Sequence, residues 1–110
     1  MRYEISEKGN STVLQINEER FDAKLAAEFR AHVESIVSEL SPHLVLDIGS
    51  VKFMDSSGLG AIMGVYKLLR DKRISVAQPQ KPVQDLFKLT RMDRLIKTYD
   101  SVESALTETA

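Results

Sequence analysis

The sequence predicts one α/β domain spanning residues 1–110, with a mainly parallel sheet of four to five strands, an N-terminal hairpin and about four helices packed on the sheet. Three observations carry this expectation. Two short strand-like segments, Arg2–Ser6 and Thr12–Ile16, flank the turn-forming Lys8-Gly9-Asn10-Ser11. The run Leu44-Val45-Leu46-Asp47-Ile48 is short and almost continuously apolar, as suits a strand covered on both faces. From there on, strand patterns alternate with helix patterns, the order expected of a parallel sheet with crossover helices. A length of 110 residues suits one such domain, since domains most often run to about 100–150 residues.

Each element has a local reason. In Arg2–Ser6, Tyr3 and Ile5 fall on one side and Arg2, Glu4 and Ser6 on the other, the period of a half-buried strand. Asn17–Asp22 is a polar connector. Asp22 can accept from the free N–H groups of a following first turn, so it is the expected N-cap of a helix ending near Leu40. Leu25, Phe29, Val33, Ile36, Val37 and Leu40 form that helix's apolar stripe. Ser41-Pro42 stops it. A second helix is expected from about Ser57 to Arg70, its stripe made by Leu59, Ile62, Met63, Tyr66 and Leu69. Gly60 and Gly64 interrupt it, each at about 1 kcal/mol of helix propensity relative to Ala, which points to close backbone packing or an approaching partner. Ile74–Gln78 reads as a strand, Pro79 and Pro82 flank a loop, and Val83, Leu86, Phe87 and Leu89 line a short helix. Leu95–Tyr99 is the expected last, edge strand. Asp100 with Glu103 resembles a capping box for a C-terminal helix holding Val102, Ala105 and Leu106, with fraying from Thr107 to Ala110.

Composition removes several function classes. A formal net charge of −1 supplies no global field for nucleic acid or anionic lipid. With no cysteine there are neither disulfides nor thiolate metal sites. No apolar run approaches the roughly 20 residues that span a bilayer, and the N-terminus has no signal-peptide core. A cytoplasmic protein without membrane or nucleic-acid contacts is expected. Phosphate-binding loops of the G-x-x-x-x-G-K-[ST] and G-x-G-x-x-G types are absent, as is the G-x-S-x-G nucleophile elbow. His32 is expected on the solvated side of the first helix and His43 in a loop, with no metal-ligand spacing between them. The C-terminal basic residues Lys81, Lys88, Arg91, Arg94 and Lys97 interleave with Asp85 and Asp93 and read as a solvated face.

One junction stands out: Met54-Asp55-Ser56-Ser57-Gly58-Leu59-Gly60, between the apolar strand and the second helix. A capping role accounts for part of it, with Ser56 or Ser57 as the cap and Gly58 easing the turn. Four details go beyond capping. Two hydroxyls are supplied where one would suffice. They follow the carboxyl end of a central strand, where open α/β sheets place functional sites. Leu59 puts an apolar side chain at the helix start, within reach of a partner. A helix N-terminus is also where an added phosphate changes the local field most.

The stretch Val45–Leu59, VLDIGSVKFMDSSGL, resembles the signature of the STAS domain, specifically the bacterial anti-sigma factor antagonists. The similarity continues through Gly60-Ala61-Ile62-Met63 and the Val83-Leu86-Phe87 helix and covers essentially the whole chain. The resemblance implies a non-enzymatic, cofactor-free switch. The unphosphorylated form would bind an anti-sigma factor that is itself a GHKL-type serine kinase, releasing the sigma factor. The kinase would phosphorylate the serine after the aspartate of D-S-S-G, here Ser56, and end the binding. A PPM-type serine phosphatase would reverse the mark. Asp22 corresponds to an aspartate near the phosphoacceptor, and Asp55 and Ser57 flank it. The expected partner-binding set is Asp22, Asp55, Ser57, Gly58, Leu59, Gly60 and Met63. Family members often carry Gly-Glu-Leu-Asp or similar ahead of the first helix, whereas here the sequence is Glu19-Arg20-Phe21-Asp22. Within the same fold the alternative is an accessory subunit of a transporter or sensory complex. From a different class, the competitor is a small hydrolase using Ser56 or Ser57.

Overall fold

In a computed structural model, which describes residues 1–107, strands β1 (Tyr3–Lys8) and β2 (Ser11–Ile16) form the expected antiparallel hairpin. Gly9 turns the chain at φ +64°, a left-handed conformation that glycine adopts without a Cβ clash. The chain continues through β3 (Arg20–Phe21), α1 (Ala23–Ile36), a 3₁₀ turn at Val37–Glu39 and β4 (His43–Asp47). It then forms β5 (Phe53–Met54), α2 (Ser56–Leu68), β6 (Arg73–Ala77), α3 (Lys81–Leu89), β7 (Lys97–Tyr99) and α4 (Val102–Thr107). Five strands make the main sheet in the order β1-β2-β4-β6-β7, parallel from β2 onward.

The sheet divides the core in two. Leu14, Ile16, Leu44, Leu46, Ile48 and Val76 point to one face, where they meet Phe29 and Val33 of α1, Ile62 and Val65 of α2, and Val83 and Phe87 of α3. Alternate residues Val13, Val45 and Ala77 point to the other face, under Ala105 of α4. Every residue of β4 is buried, as its apolar run requires.

Several elements depart from expectation. β1 is exposed along its whole length, with Tyr3 and Ile5 at 40% and 46% exposure. It is the outermost strand, and a cavity of about 330 Å³ lined by Tyr3, Ile5, His32, Ile36 and Leu40 lies between it and α1. His32 is correspondingly half-buried, its ring 4.4 Å from that of Tyr3. Pro82, expected to flank the loop after β6, lies in the first turn of α3, where its missing N–H costs nothing. At the start of α4, Ser101 Oγ accepts from Ser104 N at 3.0 Å, so Ser101, not Asp100, caps that helix. The expected fraying from Thr107 onward falls, apart from Thr107 itself, outside the described residues.

His43 is the largest correction. It opens β4 as a buried residue and bridges three strands. Its Nδ1 lies 2.9 Å from Ser11 Oγ on β2, and its Nε2 lies 2.8 Å from Ser75 Oγ on β6. Burial, with the nearby Arg73 charge second, pushes its pKa below the usual imidazole value. The neutral ring is therefore the form the fold holds. The unfolded chain takes up a proton near the ordinary pKa of about 6.5, before the folded chain does. Stability should be full above that pH and fall as pH drops below it, by up to about 1.4 kcal/mol per pH unit. Urea melts of the protein and of His43→Gln between pH 7.5 and 5 should show the steeper loss only in the former.

Candidate functional site

The site is built on the small ribbon that the sequence did not announce. β3 and β5 pair in parallel, Arg20 beside Phe53 and Phe21 beside Met54. Phe53 N and Lys52 N both donate to Glu19 O, at 3.1 and 2.8 Å, and Asp55 N reaches Phe21 O at 3.4 Å. Phe21 and Met54 turn inward and are buried, with the Phe21 ring edge-on to Phe29 at 5.3 Å between centroids. One residue past each strand stands a helix cap: Asp22 for α1 and Asp55 for α2. Their backbones are nearly identical, at φ −103°, ψ −169° and φ −106°, ψ −173°. The ribbon therefore launches two helices side by side, with a carboxylate at each N-terminus.

Asp22 caps as expected, its Oδ1 accepting from Leu25 N at 3.2 Å. At the second helix the expectation of a serine cap is corrected. Asp55 Oδ1 accepts from Ser57 N at 2.9 Å and Gly58 N at 3.2 Å, and Ser56 is already the first helical residue. One carboxylate oxygen thus satisfies two of the orphan N–H groups of the first turn. Both serine hydroxyls are left over and exposed. Among the described residues, no group bonds the Ser56 hydroxyl.

Gly58 does more than ease a turn. A Cβ on it would lie 2.5 Å from Phe21 O and 2.7 Å from Phe21 Cδ1. With Gly58, Ala61, Ile62 and Val65 buried, the helix is held in a phase that turns Ser56, Ser57 and Gly60 outward. Leu59 and Met63 are half-buried and pack partly against the core. Of the two interrupting glycines, Gly64 lies under the guanidinium of Arg30, 3.0 Å from where its Cβ would be, while Gly60 faces open space. Only Gly64 reflects close packing.

Ser56, Leu59, Gly60 and Met63 line a shallow hollow of about 220 Å³ that is completed by Thr90 and Met92. Those two come from the link between α3 and β7, and the sequence reading missed them. Arg91 between them takes a left-handed backbone, φ 61°, which carries the chain around the rim. The only signal for them was a Thr-Arg-Met segment after a helix, which has no pattern of its own. The hollow is mostly apolar, and its lining residues include no histidine or carboxylate.

The arrangement defines a small α/β domain with a mixed sheet and an uncommitted serine at the start of a surface-facing helix. The chain belongs to the STAS domain family, whose model matches residues 2–105. It is 38% identical over 77 residues to the anti-sigma F factor antagonist of Paenibacillus polymyxa, a match that covers 68% of this chain. The match spans just under two thirds of that relative's own length, 66%. Among solved structures, the fold superposes on an anti-sigma factor antagonist from Mycobacterium paratuberculosis with a TM-score of 0.86 at 21% identity, covering 96% of this chain and 91% of the other. It also matches the phosphorylated form of the Bacillus cell fate determinant SpoIIAA, with a TM-score of 0.71 at 16% identity and 96% coverage of both chains.

The two outward or inward glycines give a sharp contrast. Gly58→Ala should destabilise the protein by about 2 kcal/mol or more, because backbone oxygen must move to admit the methyl. Gly60→Ala meets nothing and should be neutral or stabilising by up to about 1 kcal/mol. Chemical denaturation of the two variants measures both.

Proposed function

We propose that this STAS domain is an anti-sigma factor antagonist that works as a phosphorylatable partner switch and carries out no chemistry of its own. The unphosphorylated form binds an anti-sigma factor of the GHKL serine kinase type and frees its sigma factor or equivalent target. The kinase modifies Ser56, which ends the binding, and a PPM-type serine phosphatase restores it. The working place is the cytoplasm, where such partners reside. The observation that carries this reading is the division of labour at the junction. Asp55 takes the cap, so the Ser56 hydroxyl is exposed and has no structural duty. The name of the Paenibacillus polymyxa relative supports the same reading.

The physics of the switch is local. Phosphorylation adds about −1.5 to −2 charges at the N-terminus of α2. The helix dipole favours negative charge there, so the domain tolerates it. A partner surface fitted to a neutral hydroxyl does not. It would have to bury a dianion beside the carboxylates of Asp22 and Asp55. A loss of about 3–4 kcal/mol corresponds to binding weakened a few hundred-fold. Leu59, Gly60 and Met63 form the surface the partner reads, with Ser57 and Gly58 setting the helix start.

Incubation with candidate GHKL kinases and ATP-Mg should place one phosphate on Ser56, mapped by mass spectrometry. Ser56→Ala should bind the kinase and remain unmodified. Ser56→Asp should keep the native circular dichroism spectrum and melting temperature but bind at least tenfold more weakly. Stoichiometric phosphorylation of Ser56→Ala would overturn the site assignment.

A further inference from the structure

Beside the two aspartate caps, the ribbon carries an exposed pair that the fold does not use. Arg20 and Phe53 are opposite each other in the β3–β5 register and point away from the core, while their neighbours Phe21 and Met54 point into it. The Arg20 guanidinium lies over the Phe53 ring, its Cζ 4.8 Å from the centroid. Phe53 nonetheless remains 43% exposed. The nearby carboxylates are engaged elsewhere: Glu19 pairs with Lys52 at 3.5 Å and Glu18 with Arg2 at 3.6 Å. Among the described residues, none of these ion pairs includes Arg20.

An arginine whose guanidinium already lies over an aromatic ring loses less freedom on binding a partner than an unrestrained one and still has N–H groups to donate. Arginine and aromatic side chains are the types enriched at the energetic centres of protein interfaces. This pair is contiguous with the switch, because the next residue on each strand is Asp22 or Asp55 and Ser56 follows directly.

We infer that Arg20 and Phe53 form a second recognition platform for the kinase, one that sets which kinase is chosen. The occupant is a protein surface presenting a carboxylate to the Arg20 fork and an apolar or aromatic side chain to the open flank of Phe53. The inference rests on the partner-switch reading and adds a specificity element to it.

The test is equilibrium binding of the unphosphorylated protein to the purified GHKL kinases of its source organism, with thermal melts run in parallel. Arg20→Ala and Phe53→Ala should each weaken binding about tenfold with unchanged melting. Arg20→Lys should recover only part, because an ammonium cannot offer a planar fork. In the double variant the combined loss should be smaller than the product of the single losses, since the two side chains act as one stack. Glu19→Ala, on the same loop, should stay within twofold of the native protein. If Arg20→Ala and Phe53→Ala both stay within twofold while Leu59→Ala weakens binding tenfold, the platform is wrong and the switch reading stands. If weakening appears only together with a lowered melting temperature, the platform is likewise overturned. If the native protein binds none of these kinases, both the switch reading and the platform fall.

Discussion

The contact between the Phe21 carbonyl and the glycine face of α2 is the constraint on which the rest of the site depends. Phe21 O accepts from Asp55 N and occupies the space that a side chain at position 58 would need. That approach ties the β3–β5 ribbon to the first turn of α2. The same residue's ring sits in the core against Phe29 of α1. One residue thus sets the position of both helix starts. It also fixes the rotation of α2 about its axis. With position 58 turned inward, Ala61, Ile62 and Val65 follow it, and Ser56 and Gly60 must face out. The exposure of the proposed phosphoacceptor is therefore a consequence of packing below it.

Capping chemistry then decides what the exposed serine is free to do. Aspartate and serine are equally good N-caps. Had a serine capped α2, its hydroxyl would be spent on an amide, and phosphorylating it would remove the cap. With Asp55 in that place, the cap survives any change at Ser56. On the proposed reading the domain would accept a phosphate without refolding, and the new charge would fall on whatever approaches from outside. Two carboxylates, Asp22 and Asp55, already stand at adjacent helix starts, so a phosphate on Ser56, as proposed, would add to the negative charge there.

Much of this could be read from the chain before its structure, and the parts that could not share a cause. The element order, the parallel sheet, the buried β4 and the Asp22 cap all follow from periodicity and capping chemistry, which are local signals. The β3–β5 ribbon was not legible, because two-residue strands have no period. His43 was read as a loop residue because a histidine before an apolar run carries no burial signal. Its place is set by Ser11 and Ser75, each 32 positions away in sequence. Tyr3 and Ile5 alternate properly, but alternation does not say whether a helix reaches the edge strand, and here a cavity intervenes. At the site, the motif included Gly58, which the structure packs tightly against Phe21. It did not separate Asp55 from Ser56 as the cap, since both residue types suit the position. Thr90 and Met92 enter the surface only through the fold.

On the proposed partner-switch reading, a kinase that binds this domain, modifies it and then releases it would face a constraint of its own. The contacts that hold the unmodified protein are the ones that deliver the Ser56 hydroxyl, so they are still in place when the phosphate appears. Contacts remote from Ser56 contribute equally to both forms and cannot tell them apart. On the present reading, Arg20 and Phe53 belong to that uniform part and would determine which kinase binds, whereas Leu59 and Met63 share the hollow with Ser56 and lie within reach of the phosphate. Discrimination between the two forms then lies within reach of the phosphate itself, at the start of α2. Dividing recognition from switching in this way would let a change at Arg20 alter partner choice without disturbing the Asp55 cap of α2. The close approach of Phe21 to Gly58 ties the ribbon to the start of α2, so both proposed parts would share one edge.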